Sequence, residues 1–274
     1  MLDGASALVG DGMVEEYRTH GVTCVRGAFD AGWIARLNAA ATKLAASQDM
    51  TVNGGDPEGQ GGKFLSATHL WARNDDFRAF VFESPAAAIA ASLMGGEHVN
   101  LFKDHLFVKE AGAAAPTPWH QDLPYWCVAG DKVLSLWIAL ESVDRDNGAV
   151  QFVRGSHRWN KVFDIEDFGA VGTQRKAGLE KVPDIDAAPP GAYDIVSYDL
   201  APGDCVAFHA LTLHGAPGNS TARRRAGYSV RFGGDDTTYD PHPAASKTFK
   251  DPGIVPGAPL GGEVFPRLWP VGGG

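Results

Sequence analysis

Apolar side chains recur every three or four positions through Trp33, Ile34, Leu37, Ala41 and Leu44, the spacing of one face of a helix. Asp30 stands just ahead of that run, where a carboxylate caps the first free N–H groups. Ser84-Pro85, an Ala-rich stretch and then Gly95-Gly96 predict another helix. Ser84 is its N-cap, Pro85 its first helical position and the glycines its stop. Val22 to Val25 reads as a short strand between the first two helices. Gly54 to Gly62 is a glycine-rich loop with no phosphate-binding pattern, and is read as a flexible lid.

Past residue 97 the pattern changes. His98 to Lys109, Lys132 to Leu140, Ala149 to Val153, Asp204 to His209 and Arg224 to Phe232 are rich in β-branched and aromatic residues. Gly, Pro, Asn and Asp separate them. Several short strands punctuated by turns predict a barrel or a double-sheet jelly roll. Asp164 to Tyr193 is long and polar, with three prolines, and reads as an insertion over one mouth of the barrel. The Pro/Gly-rich stretch from Asp251 reads as an extended wrap. The expected organisation is one domain over 1–274: a mostly helical part (1–96), a β core (97–235) and a C-terminal wrap (236–274).

Composition narrows the function classes. The chain has 274 residues, 44% apolar and 21% charged, which suits a globular protein with a buried core. Its formal charge of -9 argues against a nucleic-acid partner, whose phosphates attract basic faces. Cys24, Cys127 and Cys205 are odd in number and far apart, which disfavours a disulfide framework and fits a reducing, cytoplasmic setting. The first residues lack the basic and apolar regions of a signal peptide. Apolar runs such as Leu136 to Leu140 fall far short of the roughly 20 residues a membrane span requires. A small-molecule partner is the remaining expectation, and nothing in the sequence fixes an oligomeric state.

The chemistry centres on Trp119-His120-Gln121-Asp122 and the distant Leu211-Thr212-Leu213-His214-Gly215. On a strand, residues i and i+2 share a side, so His120 and Asp122 would offer an imidazole nitrogen and a carboxylate oxygen together. Two histidines and one carboxylate with an open opposite face form the ligand set of non-haem iron(II) oxygenases, whose vacant positions take a keto acid and O₂. His-x-Asp by itself is a weak signal, met as often in a surface His beside a turn Asp.

The surrounding segments sharpen it. Trp-His-Gln-Asp at 119 to 122 is followed by Leu-Trp-Ile-Ala-Leu at 136 to 140 and Arg-Asp-Asn-Gly-Ala at 145 to 149. Val-Arg-Gly-Ser-His at 153 to 157, Pro-Gly-Asp at 202 to 204, His-Gly-Ala-Pro-Gly-Asn at 214 to 219 and Arg-Arg-Arg-Ala at 223 to 226 complete the series. In order and spacing, from about 99 to 235, this resembles the phytanoyl-CoA dioxygenase family of Fe(II)/2-oxoglutarate-dependent oxygenases. The helical N-terminal part fits more loosely. The resemblance implies a double-stranded β-helix with helices packed outside. It implies iron bound by His120, Asp122 and His214, with 2-oxoglutarate and O₂ as cosubstrates.

It also implies a basic residue after His214 for the distal carboxylate of 2-oxoglutarate, which a guanidinium fork suits. Counting from His214 reaches Arg225; aligning the strand through Ala226 selects Arg224. Arg224 is favoured, since deletions fall more readily in loops than in strands. Only one of the pair should face the barrel interior. Trp137, Gln121 and His105 match positions lining the cosubstrate pocket. Ala216 departs from the serine that many relatives carry there. Leu123-Pro124-Tyr125-Trp126 directly follows the iron motif. Trp119, Tyr125 and Trp126 are therefore the candidates for clasping an apolar or cationic substrate group, and Arg73, Arg158 and Arg231 are candidate anion anchors.

The reaction implied is hydroxylation of a small organic metabolite with release of succinate and CO₂. Asp122 speaks against halogenation, which needs a small residue in its place. Desaturation, epimerisation and ring closure stay open, because they depend on the fate of the substrate radical. So do two readings of other classes, a catalytically silent jelly-roll binding protein and a metal-dependent hydrolase or isomerase on a cupin-like barrel.

Overall fold

The computed structural model describes residues 8–47, 49–53, 61–165 and 178–270. Helix α1 (Asp11–His20), strand β1 (Val22–Val25), helix α2 (Ala31–Ala46), strands β2 (Thr51–Val52) and β3 (Phe64–Thr68), and helices α3 (Asp75–Glu83) and α4 (Ala86–Met94) come first. The β-rich part follows as β4 (Val99–Lys109), β5 (Thr117–His120), β6 (Val128–Ala129), β7 (Val133–Ala139), β8 (Gln151–Val153), β9 (Ile195–Ser197) and β10 (Cys205–His209). It ends with β11 (His214–Ala216), β12 (Arg225–Gly233), β13 (Thr238–Tyr239) and β14 (Arg267–Trp269).

The helix signals hold. The Asp30 carboxylate accepts the Trp33 N–H at 3.0 Å, and α2 buries Ile34, Leu37 and Ala41. α4 starts one residue later than expected, with Pro85 rather than Ser84 as its N-cap, though the Ser84 hydroxyl still accepts the Ala86 N–H at 3.3 Å. Gly95 ends that helix with φ 64°, a conformation glycine adopts without a Cβ clash.

The strands form the expected jelly roll. A large antiparallel sheet runs β1-β10-β7-β12-β4-β3-β2, with β14 paired to the first residues of β4. A smaller sheet runs β5-β11-β8-β9, and β13 pairs with β6. Alternation gives each strand of the large sheet two different faces. Ala226, Tyr228, Val230 and Phe232 of β12 join the core beneath the helices, where Tyr228 meets Phe77 of α3 with ring centroids 4.8 Å apart. Asp104 lies on this outer side too. It accepts the N–H groups of Leu70 and Trp71 and the Tyr228 hydroxyl, pinning the 3₁₀ turn Leu70–Ala72 to the sheet. The intervening residues of β12 (Arg225, Gly227, Ser229, Arg231) belong to the opposite face.

The stretch after β13 meets the sheet at the start of β4. Asn100 donates its side-chain N–H to Phe265 O at 2.8 Å, and the Leu101 N–H bonds to Pro266 O at 2.9 Å. Of the polar insertion 164–193, Asp164 is tied to Glu180 by an N–H···O bond of 2.7 Å, and residues 166–177 lie outside the described residues. Residues 54–60 of the expected lid also lie outside them. Among the described residues no single helix is long and apolar enough to cross a membrane.

Candidate metal centre

Strand pairing brings the two histidines together. His120 ends β5, His214 begins β11, and the two are partners across the small sheet, with ring centroids 4.1 Å apart. Asp122 arrives differently from the expectation. The strand stops at His120, and Asp122 is in right-handed helical conformation ahead of the 3₁₀ turn Leu123–Tyr125. Its N–H and that of Leu123 both donate to Ala210 O, at 2.9 and 3.0 Å. That turn, rather than strand alternation, swings the carboxylate to the imidazoles. Asp122 Oδ1 lies 3.8 Å from His120 Nε2, and Oδ2 lies 3.9 Å from His214 Nε2. One ligand atom from each of the three residues falls within 4.8 Å of the others, and all three residues are buried.

The donor set fits a divalent ion of the first transition row. His120 Nδ1 is 2.8 Å from Pro118 O, and His214 Nδ1 is 2.9 Å from Thr212 O. A carbonyl only accepts, so each Nδ1 carries the proton and each Nε2 turns a lone pair toward Asp122. Burial, reinforced by the neighbouring His214, lowers the His120 pKa to about 3, and burial lowers that of His214 as well. Both rings are neutral near pH 7, as metal ligation requires. Burial by itself would raise the Asp122 pKa, but it is lowered instead, the Arg231 guanidinium being the foremost opposing charge, so the carboxylate stays ionised. Ser135 steadies it by donating to Oδ2 at 3.0 Å.

A cavity of about 390 Å³ opens beside the triad, lined by inward residues of β4, β7 and β12 and by β5 and β11 opposite. Trp137 and His105 are among the residues that line it. The His105 and Phe107 rings lie 3.9 Å apart between centroids, tilted by 33°, and among the described residues the buried Nε2 of His105 has no hydrogen-bond partner. Tyr125 and Trp126 line it as well, with the Tyr125 ring edge-on to His120.

Three expectations are corrected. Arg224 faces away from the cavity: it donates to Glu141 at 3.0 Å and to Asn38 of α2 at 2.7 Å. Arg225 is the inward member, because it starts the alternation that continues through Gly227, Ser229 and Arg231. Its guanidinium lies 4.9 Å from the centroid of the Trp137 ring and donates to Gly148 O, while among the described residues its buried Nε has no partner. Gln121 is not in the cavity lining. It donates to Lys161 O and Leu211 O, each at 3.0 Å, and accepts the Phe163 N–H at 2.9 Å, so it clamps loops together behind the metal centre. Trp119 points to the other side of β5 from His120 and donates its indole N–H to Asp186 at 2.9 Å.

The structure adds Ser135, Lys103 and Ser229 to the site. Parity carried a signal for each. Ser135 is two residues from Trp137, Lys103 two from His105, and Ser229 four from Arg225, so each shares a strand face with an already suspected residue. Of the three candidate anion anchors, Arg231 reaches the cavity, whereas Arg73 and Arg158 do not line it.

Comparison with known proteins agrees with this geometry. The family model for phytanoyl-CoA dioxygenase (PhyH) matches residues 17–227. The L-proline trans-4-hydroxylase of Streptomyces griseoviridis is 28% identical over 181 residues, 61% of this chain and 66% of that protein. A probable phytanoyl-CoA dioxygenase of Caenorhabditis elegans is 31% identical over 154 residues, 54% of this chain and 47% of that protein. The chain thus spans about half to two thirds of the length of these curated relatives. Among solved structures, the epimerase SnoN in complex with Fe³⁺, alpha ketoglutarate and nogalamycin RO is 29% identical with a TM-score of 0.73, covering 96% of this chain and 99% of that one.

Proposed function

The chain belongs to the phytanoyl-CoA dioxygenase family, and from that premise we propose that it is an Fe(II)- and 2-oxoglutarate-dependent oxygenase that hydroxylates a small organic molecule. The observation that carries the reading is the buried His120-Asp122-His214 cluster, with both Nδ1 atoms committed to carbonyls, opening on one cavity. Iron and the keto acid are the pair that the solved relative holds. When bound, they supply the oxidising power, as 2-oxoglutarate and O₂ are converted to succinate and CO₂.

The chain's own residues supply holding and orientation. His120, Asp122 and His214 hold the metal, and Ser135 fixes the carboxylate that completes the set. Arg225, buried and braced on Trp137, receives the distal carboxylate of 2-oxoglutarate. Phe107, Val150 and Phe208 form apolar wall around the cosubstrate and keep water from it. Tyr125 and Trp126 flank the substrate beyond the metal. Intact ligands and a buried arginine favour an enzyme over a silent jelly-roll binder. Cys24, Cys127 and Cys205 are free thiols, which fits the cytoplasmic setting proposed from the sequence.

A second outcome, epimerisation on the same site, is favoured by the identity to an epimerase over nearly the whole chain. Screening metabolites for substrate-stimulated succinate release under ¹⁸O₂ separates the readings. A product carrying one ¹⁸O supports hydroxylation, and an unlabelled stereoisomer supports epimerisation. No succinate from any compound, with Fe(II) and ascorbate present, would sink both.

A further inference from the structure

Two cations share the part of the cavity away from Arg225. Arg231 and Lys103 are direct partners across β12 and β4, and both line the cavity. Arg225 and Arg231 are six residues apart on one strand face, roughly 20 Å of extended chain, so their side chains enter at opposite ends.

Arg231 is 5% exposed, and among the described residues its Nε and Nη1 have no hydrogen-bond partner. The nearest carboxylate oxygen, Asp122 Oδ2, is 3.8 Å from Nε, too long for a hydrogen bond. The guanidinium lies over the Trp126 ring, 5.0 Å from its centroid. Lys103 has as its hydrogen bond among the described residues only a 3.4 Å contact to Ser246. Burying donors of this strength with nothing to accept them is costly, so a ligand acceptor is the economical explanation.

Charge points the same way. Among the described residues, those lining the cavity include three cations (Lys103, Arg225 and Arg231) against a single carboxylate, Asp122. Asp104, between Lys103 and His105, is on the other face of β4 and already accepts three hydrogen bonds. A divalent metal and a 2-oxoglutarate dianion cancel one another, so the described lining residues carry two net positive charges among mostly apolar neighbours.

We propose that Arg231 and Lys103 form an anion subsite for the substrate, which therefore carries a carboxylate docked against them. This rests on the oxygenase reading for what happens next. Because Arg231 adjoins Asp122, the carbon presented to the metal lies within a few bonds of that carboxylate. The in-plane fork of Arg231 grips the group, and Lys103 adds a point charge beside it.

Matched acids and amides test the subsite. The protein loaded with Fe(II) and 2-oxoglutarate under argon is titrated calorimetrically with phenylacetate and phenylacetamide, then with hexanoate and hexanamide. In the wild type each acid should bind roughly tenfold or more tightly than its amide. Arg231→Gln should bring that ratio near one, and Lys103→Met should lower it. The ratio is internal to each protein, so general damage weakens both compounds and does not mimic the effect. Should Arg231→Gln not fold, Lys103→Met gives the same readout. No preference for acid over amide in the wild type, or an unchanged ratio in the variants, overturns the proposal and leaves Arg231 as a counter-ion of Asp122. Admitting O₂ and measuring succinate tests the oxygenase reading separately, since calorimetry reports binding whether or not turnover occurs.

Discussion

The Arg225 guanidinium lies over the indole of Trp137, with 4.9 Å from its carbon to the ring centroid. The pair sits on adjacent strands of one inward sheet face, and the arginine has lost its water to a ring and one carbonyl. Burial lowers its pKa to about 10, which still leaves it charged near pH 7. Arg225→Ala should therefore raise the KM for 2-oxoglutarate by roughly tenfold to a hundredfold, the cost of a charge-assisted bidentate contact. Arg224→Ala should change it much less, because Arg224 is engaged by Glu141 and Asn38 outside the cavity. Steady-state titration of 2-oxoglutarate decides, and the reverse ranking would refute the assignment.

Gly227 makes room for that indole. A Cβ at this position would overlap the six-membered ring of Trp137, a fault that only movement of the indole relieves. Gly227→Ala should cost about 1–3 kcal/mol of stability, as overpacking does, and weaken 2-oxoglutarate binding as Arg225 loses its platform. Urea unfolding and the KM for 2-oxoglutarate are the measurements. Adding Trp137→Phe should restore part of the stability; no rescue would mean that the clash is not with the indole.

Asp122 supplies the negative member of the metal set. Asp122→Ala should weaken Fe(II) retention in equilibrium dialysis by at least about tenfold and abolish succinate release. Full activity in this variant would overturn the ligand assignment.

Gln121 tests whether proximity in sequence was misread as function. It satisfies two carbonyls and one N–H of loops that it joins. Gln121→Ala should destabilise the fold by about 1–3 kcal/mol, since three backbone groups lose a partner, with little change in the KM for 2-oxoglutarate. A large KM effect with unchanged thermal stability would return Gln121 to the cosubstrate pocket.

Asp204 gives a pH prediction away from the metal. Burial would raise its pKa, but the Gly27 N–H at 2.8 Å, Arg26 at 2.8 Å and the Ala201 N–H at 3.0 Å outweigh it and lower it. With a pKa below its unfolded value, the carboxylate stabilises the fold fully above the ordinary Asp range, about 4. That stability is lost as pH falls through the lowered value. Asp204→Asn should cost about 1–2 kcal/mol at pH 7, the scale of a charged hydrogen-bonding group. The difference from wild type should shrink at pH 3. A pH-independent difference in urea unfolding would show that charge is not the cause.

Much of this was set by local chemistry along the chain. Asp30 caps α2 because a carboxylate satisfies free N–H groups wherever a helix begins, and the alternating β-branched runs formed strands because alternation buries one face. The spacing of His120, Asp122 and His214 within familiar segments named the chemistry before any contact was known. What the chain could not give was which way neighbours point and what meets them from afar. Arg224 and Arg225 are equivalent by composition, and the first residue of β12 decides which one faces inward. Gln121 became a loop clamp because Lys161, Phe163 and Leu211 converge on it, and Asp122 met the imidazoles through a turn anchored on Ala210. Arg231 and Lys103 become one basic subsite only through the pairing of β12 with β4. Periodicity and capping act over a few residues and can be read in order; register and convergence depend on contacts between distant segments, which packing alone selects.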